Sequence, residues 1–388
     1  MERKTKVTHI VIFENYQEGW SYQENLLSQK HKELGYDVSI IASQSYRDNN
    51  YNSHLRSLGD YVNEYGINVY ILQNTKHHPH LSRFYDKCIG LYDKLCEIKP
   101  DIIFLHNFSG KDVRYIAKYM QEHPETKLYV DCHSDYRTKP VKTIMQKITA
   151  MERRRYAHII LPYAEKFWGT IPWRVQYLHE IYKIPEEKLG LLIMGADERN
   201  IVGKDAEKIN DEIREQYGIP QEAFLIATGG KLDRRKQQHL LMEAVKQLKN
   251  DNVWLIVFGL PTEEMKPIFE SYNDCENIVQ TGWLPSDKAY DIFMASQLAI
   301  FPGSHSVLWE QVVACATPIV TRHWPGHEHI NAGGNAILMD DVNVVNIKQI
   351  IVTLQNKEVY AKMKDRAKQV AKEFYLKEIA LKAIGENQ

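Results

Sequence analysis

Short runs of β-branched residues, separated by longer amphipathic stretches, recur along the whole chain, and this alternation constrains the fold more than any other feature of the sequence. The spacing predicts strands over residues 7–13, 38–42, 69–72, 101–106, 127–133 and 158–162. A second series is predicted over 224–228, 253–259, 277–282, 298–302, 318–322 and 336–339. Helices are predicted between them, over 21–34, 81–97, 237–249 and 347–373 among others. Strands joined by helix-length crossovers run parallel, and runs that are apolar on both faces suit a buried parallel sheet. The fold class read here is α/β, with two Rossmann-like domains facing across a cleft. A chain of 388 residues has room for both cores. The predicted boundaries are 1–197 for the first domain, a polar join at 198–218, and 219–372 for the second, followed by a last helix over 373–388. In open parallel sheets ligands bind at the carboxyl ends of the strands.

Charge narrows the function. Lys plus Arg number 49 and Asp plus Glu 50, for a formal charge of −1. Without a basic excess, a general nucleic-acid role driven by phosphate neutralisation is not expected. An anionic ligand has to be met by a local cluster. The five cysteines, Cys88, Cys96, Cys132, Cys275 and Cys315, form no CxxC pair, which argues for a reducing compartment. The first apolar stretch is too short for a signal peptide, and the longest apolar run, 253–260, is too short for a membrane span. A cytoplasmic protein is the expectation, with peripheral contact at the inner membrane face an open alternative for the basic run Arg153-Arg154-Arg155 beside Lys147.

Two turns carry the strongest chemical signals. Gly229-Gly230-Lys231-Leu232-Asp233-Arg234-Arg235-Lys236 follows a predicted strand and opens a helix. Gly230 allows close backbone approach, and Lys231 and Lys236 suggest a diphosphate clamp. Without a ligand the same run reads as a solvated basic turn. The second turn, Pro302-Gly303-Ser304-His305-Ser306-Val307, again ends a strand and opens a helix whose amides can take phosphate oxygens. Glu310 falls about one turn in, placed to accept from ribose hydroxyls. It could equally complement the helix N-terminus, with Ser306 as N-cap.

These turns, together with Thr281-Gly282-Trp283-Leu284-Pro285, the 310–318 segment, Pro325-Gly326-His327-Glu328 and Met194-Gly195-Ala196-Asp197, occur in an order that resembles the retaining GT-B glycosyltransferases of family 4 type. The resemblance is weak before residue 195 and strong after 223. It implies a UDP- or GDP-sugar donor whose diphosphate is bound by Lys231 and Lys236. It also implies a glutamate at Glu310, or its neighbour Gln311, on the ribose, and a last helix that crosses back to the first domain. The family's first glutamate is missing, and Gly303-Ser304-His305 stands in its region, which makes Ser304 and His305 candidate donor-sugar contacts. In the first half, Asn15-Tyr16-Gln17-Glu18-Gly19-Trp20-Ser21 is similar to the family's glycine-bearing loop, with Gly19 as the close-approach position or an ordinary βα turn. His133, in Asp131-Cys132-His133, corresponds to a histidine on the transferred sugar. His106 and Asn107 are further candidates.

No metal is expected. His77-His78-Pro79-His80 is a polar loop interrupted by proline, and His323, His327, His329 and Glu328 lack a completing ligand. No Asp-x-Asp occurs. The predicted partners are a nucleotide-sugar donor and a glycan or lipid-linked acceptor. The alternatives left open are a nucleotide-sugar epimerase and a non-catalytic partner subunit.

Overall fold

The computed structural model describes residues 3–19, 22–47, 52–75, 87–249 and 252–386. The chain forms two compact units, Met1–Ile193 with Leu376–Gln388, and Met194–Tyr375.

The first unit holds β1 (Lys6–Val11), α1 (Gln23–Glu33), β2 (Asp37–Ser43), the hairpin-like pair β3 (Ser45–Arg47) and β4 (Ser53–Leu55), β5 (Gly59–Val62) and β6 (Asn68–Leu72). These are followed by α2 (Leu91–Ile98), β7 (Ile102–His106), α3 (Val113–Glu122), β8 (Lys127–Cys132), α4 (Ile144–Ile160), β9 (Ala164–Gly169), α5 (Pro172–Glu180) and β10 (Leu189–Leu191). The large sheet runs β10-β9-β8-β7-β1-β2-β6-β5, parallel except for β5. One face buries Ile10, Ile41, Leu105 and Val130 with Tyr156 and Ile160 of α4.

The second unit comprises α6 (Ala206–Tyr217), β11 (Phe224–Gly229), α7 (Gln238–Gln247), β12 (Val253–Phe258), α8 (Lys266–Glu270), β13 (Ile278–Gly282) and α9 (Ser286–Ala295). It continues through β14 (Leu298–Phe301), α10 (Leu308–Ala314), β15 (Ile319–Arg322), β16 (Ala336–Met339), α11 (Val344–Leu354) and α12 (Lys357–Val370). Its sheet is wholly parallel, in the order β13-β12-β11-β14-β15-β16. That is the Rossmann order, with strand direction of travel reversing between β11 and β14. The same reversal falls between β1 and β7 in the first unit, and the crevice above such a switch point is where these sheets bind ligands. The last helix, α13 (Leu376–Ala383), belongs to the first unit: Leu376, Ile379, Ala380 and Ala383 cover Val7, Phe104, Tyr129 and Trp168 on the other face of its sheet. The Trp168 indole donates to the Ala383 carbonyl at 3.0 Å.

Four expectations change. Residues 158–162 are no strand: Tyr156, Ala157 and Ile160 are the buried face of α4, and helical periodicity outweighs the β-branched pair Ile159-Ile160. The strand comes later, at β9, where Glu165 and Lys166 disguise it and Phe167 and Trp168 anchor it. The segment 198–218 is folded, not a loose join, because Asp205 caps α6 by accepting from the amides of Glu207 and Lys208, and Gly218 closes it in the left-handed region. The predicted 347–373 helix is two, since the Asn356 side chain caps a new start at Glu358 and Val359. Of the predicted 81–97 helix, residues 81–86 lie outside the described residues, and Gly90 at φ 82° precedes the helical part. The His77–His80 loop, with Trp20 and Ser21, also lies outside them. Among the described residues no helix is long and apolar enough to cross a membrane.

Candidate active site

Each unit brings charged side chains to its own switch point. In the first, a cavity of about 440 Å³ is lined by Phe13 and Glu14 after β1, Asn107 after β7 and His133 after β8, with Lys139 and Arg153 beyond. Asn107 takes φ 63°, a backbone conformation its short amide tolerates. Its side chain donates to Glu14 Oε1 at 2.5 Å, and its amide donates to Asp131 Oδ1 at 3.0 Å. Gly19 also takes positive φ, but it stands in open space.

His133 Nε2 lies 3.6 Å from Asp131 Oδ2 and 3.9 Å from Glu24 Oε1. Burial works against a charge on this ring, but Asp131, Glu24 and Glu14 outweigh it and raise its pKa to about 9. His133 is therefore an imidazolium facing the cavity at neutral pH. Behind it runs a buried wire of three imidazoles. Asp131 Oδ2 meets His106 Nδ1 at 2.7 Å, and His106 Nε2 meets His9 Nδ1 at 3.0 Å. His9 Nε2 then meets His31 Nδ1 at 3.0 Å, and His31 Nε2 meets the Ala380 carbonyl at 2.7 Å. Both ends of the wire are acceptors. Its four hydrogen bonds need four protons, and three neutral imidazoles bring three. Burial opposes the charge on Asp131, yet His106 and His133 hold it ionised, well below the usual carboxylate range. Sequence reading missed His9, His31 and Glu24; a histidine in the middle of the buried strand β1 was the available signal.

In the second unit the two predicted turns meet. Gly230 takes φ 99°, and a Cβ there would lie 3.1 Å from Leu308 Cδ1 and 3.9 Å from Ser306 Oγ. Lys236 Nζ donates to the carbonyls of Ser304 at 2.9 Å and His305 at 2.6 Å. The Ser304 amide donates back to Arg235 O at 3.0 Å. A Cβ on Gly303 would lie 2.3 Å from Arg235 O, so only glycine lets these segments touch. Val307 is exposed at the start of α10, and Ser306 Oγ is only a long acceptor for the Leu308 amide, at 3.4 Å.

The four cations of the basic run have different surroundings. Arg235 pairs with Asp233 at 2.7 Å and Arg234 with Glu264 at 2.8 Å. Lys236 is a tether across the turns, while Lys231 is exposed. Trp283 is exposed just past β13. Glu310 is 1% exposed and turned inward, its Oε1 3.2 Å from His329 Nε2 and 3.5 Å from His305 Nε2. Burial would raise its pKa, but His305 and His329 bring it down to about 2. The His327 ring lies tilted, 4.3 Å from that of His305, and its pKa is pushed down to about 4 by burial and its histidine neighbours. Glu310 Oε2 and Gln311 Oε1 are buried without hydrogen-bond partners. Orphaned buried oxygens of this kind mark a place for a donor from outside the chain. Among the described residues no group of three or more His, Cys, Asp and Glu is arranged to hold a metal.

Residues 209–370 match the family of glycosyl transferases group 1. The match falls within the second unit, from α6 to the end of α12. No curated protein matches the sequence. Solved structures match along the whole chain. A glycosyltransferase from Rickettsia africae ESF-5 is 15% identical over 100% of both chains, with a TM-score of 0.65. HepE of Anabaena, solved with UDP-glucose, is 15% identical over 97% of this chain and 98% of its own, with a TM-score of 0.62. A Listeria monocytogenes structure assigned as a UDP-N-acetylglucosamine 2-epimerase is 12% identical over 97% and 94%, with a TM-score of 0.56. The shared architecture is the GT-B fold, two Rossmann-like α/β domains in one chain.

Proposed function

We propose that the chain transfers a sugar from a nucleotide diphosphate sugar, UDP- or GDP-linked, to a glycan or lipid-linked acceptor, with retention and without a metal. The observation that carries this reading is the meeting of Gly230, Lys236 and the 303–307 turn at the switch point of the group 1 domain. Lys236 fixes the turn and adds positive charge beneath it. Burial lowers its pKa, as expected of an ammonium held close to its work. Exposed Lys231 swings onto the outer phosphate, and the exposed Trp283 indole offers a stacking face for the base. The unpartnered oxygens of Glu310 and Gln311 accept from ribose hydroxyls.

As the sugar–phosphate bond breaks, charge grows on the leaving phosphate. Pre-oriented lysines and turn amides stabilise that charge more than they stabilise the ground state. His133, a cation through its carboxylate neighbours, donates to the transferred sugar. Attack on the donor's own face, with the leaving phosphate taking the acceptor proton, gives retention without a carboxylate nucleophile.

A thermal-shift series with UDP, GDP and their glucose conjugates, followed by NMR of the sugar anomeric region with and without acceptor, tests the reading. Stabilisation by one nucleotide sugar and acceptor-dependent turnover are expected. Donor conversion without acceptor would assign an epimerase, and binding without any conversion a non-catalytic subunit.

A further inference from the structure

Helix α4 presents to solvent a surface that neither the donor turn nor the histidine pocket uses. Ile144 is 80% exposed, Ile148 51% and Met151 69%. At spacings of four and three residues they form one ridge, which Arg155 continues. Met145, 58% exposed, flanks the ridge on one side, and exposed Lys147 and Arg154 flank it on the other. The opposite face, Ala150, Tyr156, Ala157 and Ile160, is packed into the core of the first unit. The ridge is therefore not a displaced core face. Its first turn is fixed: Thr143 accepts from the Gln146 amide, and the Gln146 side chain accepts from the amides of Lys142 and Thr143. Among the described residues no other helix exposes three large apolar side chains on successive turns.

The charge around the ridge is as one-sided as its polarity. Residues 137–158 contain seven Lys or Arg and one Glu, in a chain whose formal charge is −1. A polyanion without an apolar phase, such as nucleic acid, leaves the isoleucines and methionines in water. A second copy of the same face would oppose like charges. An anionic bilayer answers both features at once: its headgroups neutralise the cations while the ridge enters the acyl boundary.

We propose that α4 docks this chain, apolar ridge down, onto a bilayer surface rich in anionic phospholipid. Thr138, Lys139 and Arg153, from the same segment, line the first unit's cavity, Arg153 on the side of α4 opposite the ridge. Taken with the reading above, on which this last step rests, the acceptor is a lipid-anchored molecule. The docking itself does not depend on the reaction.

Flotation of the full chain with vesicles of phosphatidylglycerol and phosphatidylcholine, against phosphatidylcholine alone, tests it. Binding to the anionic vesicles is expected at 0.1 M salt and strong weakening at 1 M. Lys147→Gln with Arg154→Gln should lower the partition about fivefold per residue. Ile144→Ser with Ile148→Ser should lower it by on the order of tenfold per residue at either salt concentration. All four positions are on the surface, and an unchanged thermal midpoint verifies the fold of each variant. Equal partition onto both vesicle types, or anionic binding that survives both double variants, overturns the proposal. The assay contains no nucleotide sugar, so failure here leaves the donor thermal shift as an independent test of glycosyl transfer.

Discussion

The two units solve one electrostatic problem in opposite senses. At the first switch point a histidine is kept charged by carboxylates, with Asp131 and Glu24 beside His133. At the second, a carboxylate is kept charged by histidines, with His305 and His329 beside Glu310. The cation faces an open cavity; the anion is buried, one oxygen turned to the histidines and the other left without a partner, and the neighbouring turn is held by Lys236. The same strand order thus supports a site whose charge is presented to a ligand and a site whose charge braces the loop that meets the ligand.

The sharpest way to break the comparison is at the contact that defines the second site. Lys236→Ala removes two charge-assisted hydrogen bonds to the 304–305 carbonyls. About a hundredfold loss of donor turnover is expected, with secondary structure unchanged by circular dichroism. Turnover at the native rate would show that the tether is dispensable.

The two charges should also titrate at opposite ends of the pH scale. His133, raised from 6.5 to about 9, contributes stability that is full below pH 6.5 and is lost as pH climbs through 9. Glu310, lowered from 4.5 to about 2, contributes stability present above pH 4.5 and lost as pH falls through 2. Each effect is of order 3 kcal/mol. Hydrogen exchange against pH, read separately in the two units, should show alkaline loosening in the first and acid loosening in the second. Exchange that responds in the same unit at both ends contradicts the assignment.

Breaking the imidazole wire with His31→Ala is expected to cost the first unit about 2–3 kcal/mol and leave the second unaltered, measured by the same exchange. The smallest effect belongs to Trp324→Phe, which deletes the indole donor to the Gly303 carbonyl at 3.0 Å. It should cost the second unit about 1 kcal/mol and raise the donor concentration needed for half-maximal rate.

The sheets were legible because buried parallel strands announce themselves: β1, β2, β7, β11 and β12 are apolar runs that allow little else. β9 hid because its charged residues sit at one end and its aromatics at the other. The turn that gathers Gly230 and residues 303–307 was legible because glycines and a strand end mark it locally. The pairing of Lys236 with carbonyls, and of Arg235 with Asp233, was not legible, since a run of cations says nothing about which neighbours fold back on it. The imidazole wire was further out of reach: it joins residues 9, 31, 106 and 131 through tertiary packing alone. The ridge on α4 was present in the pattern, but only the buried opposite face shows that it points outward.

The return of α13 has a bearing on how the polypeptide matures. Trp168, Tyr129 and the Ala380 carbonyl that ends the wire belong to a face that α13 completes. A ribosome releases that helix only after all of Met194–Tyr375 has emerged. The amino-terminal unit therefore waits, one side unsealed, while the later-made unit gathers its own core, and the order of completion during synthesis reverses the order of the residues.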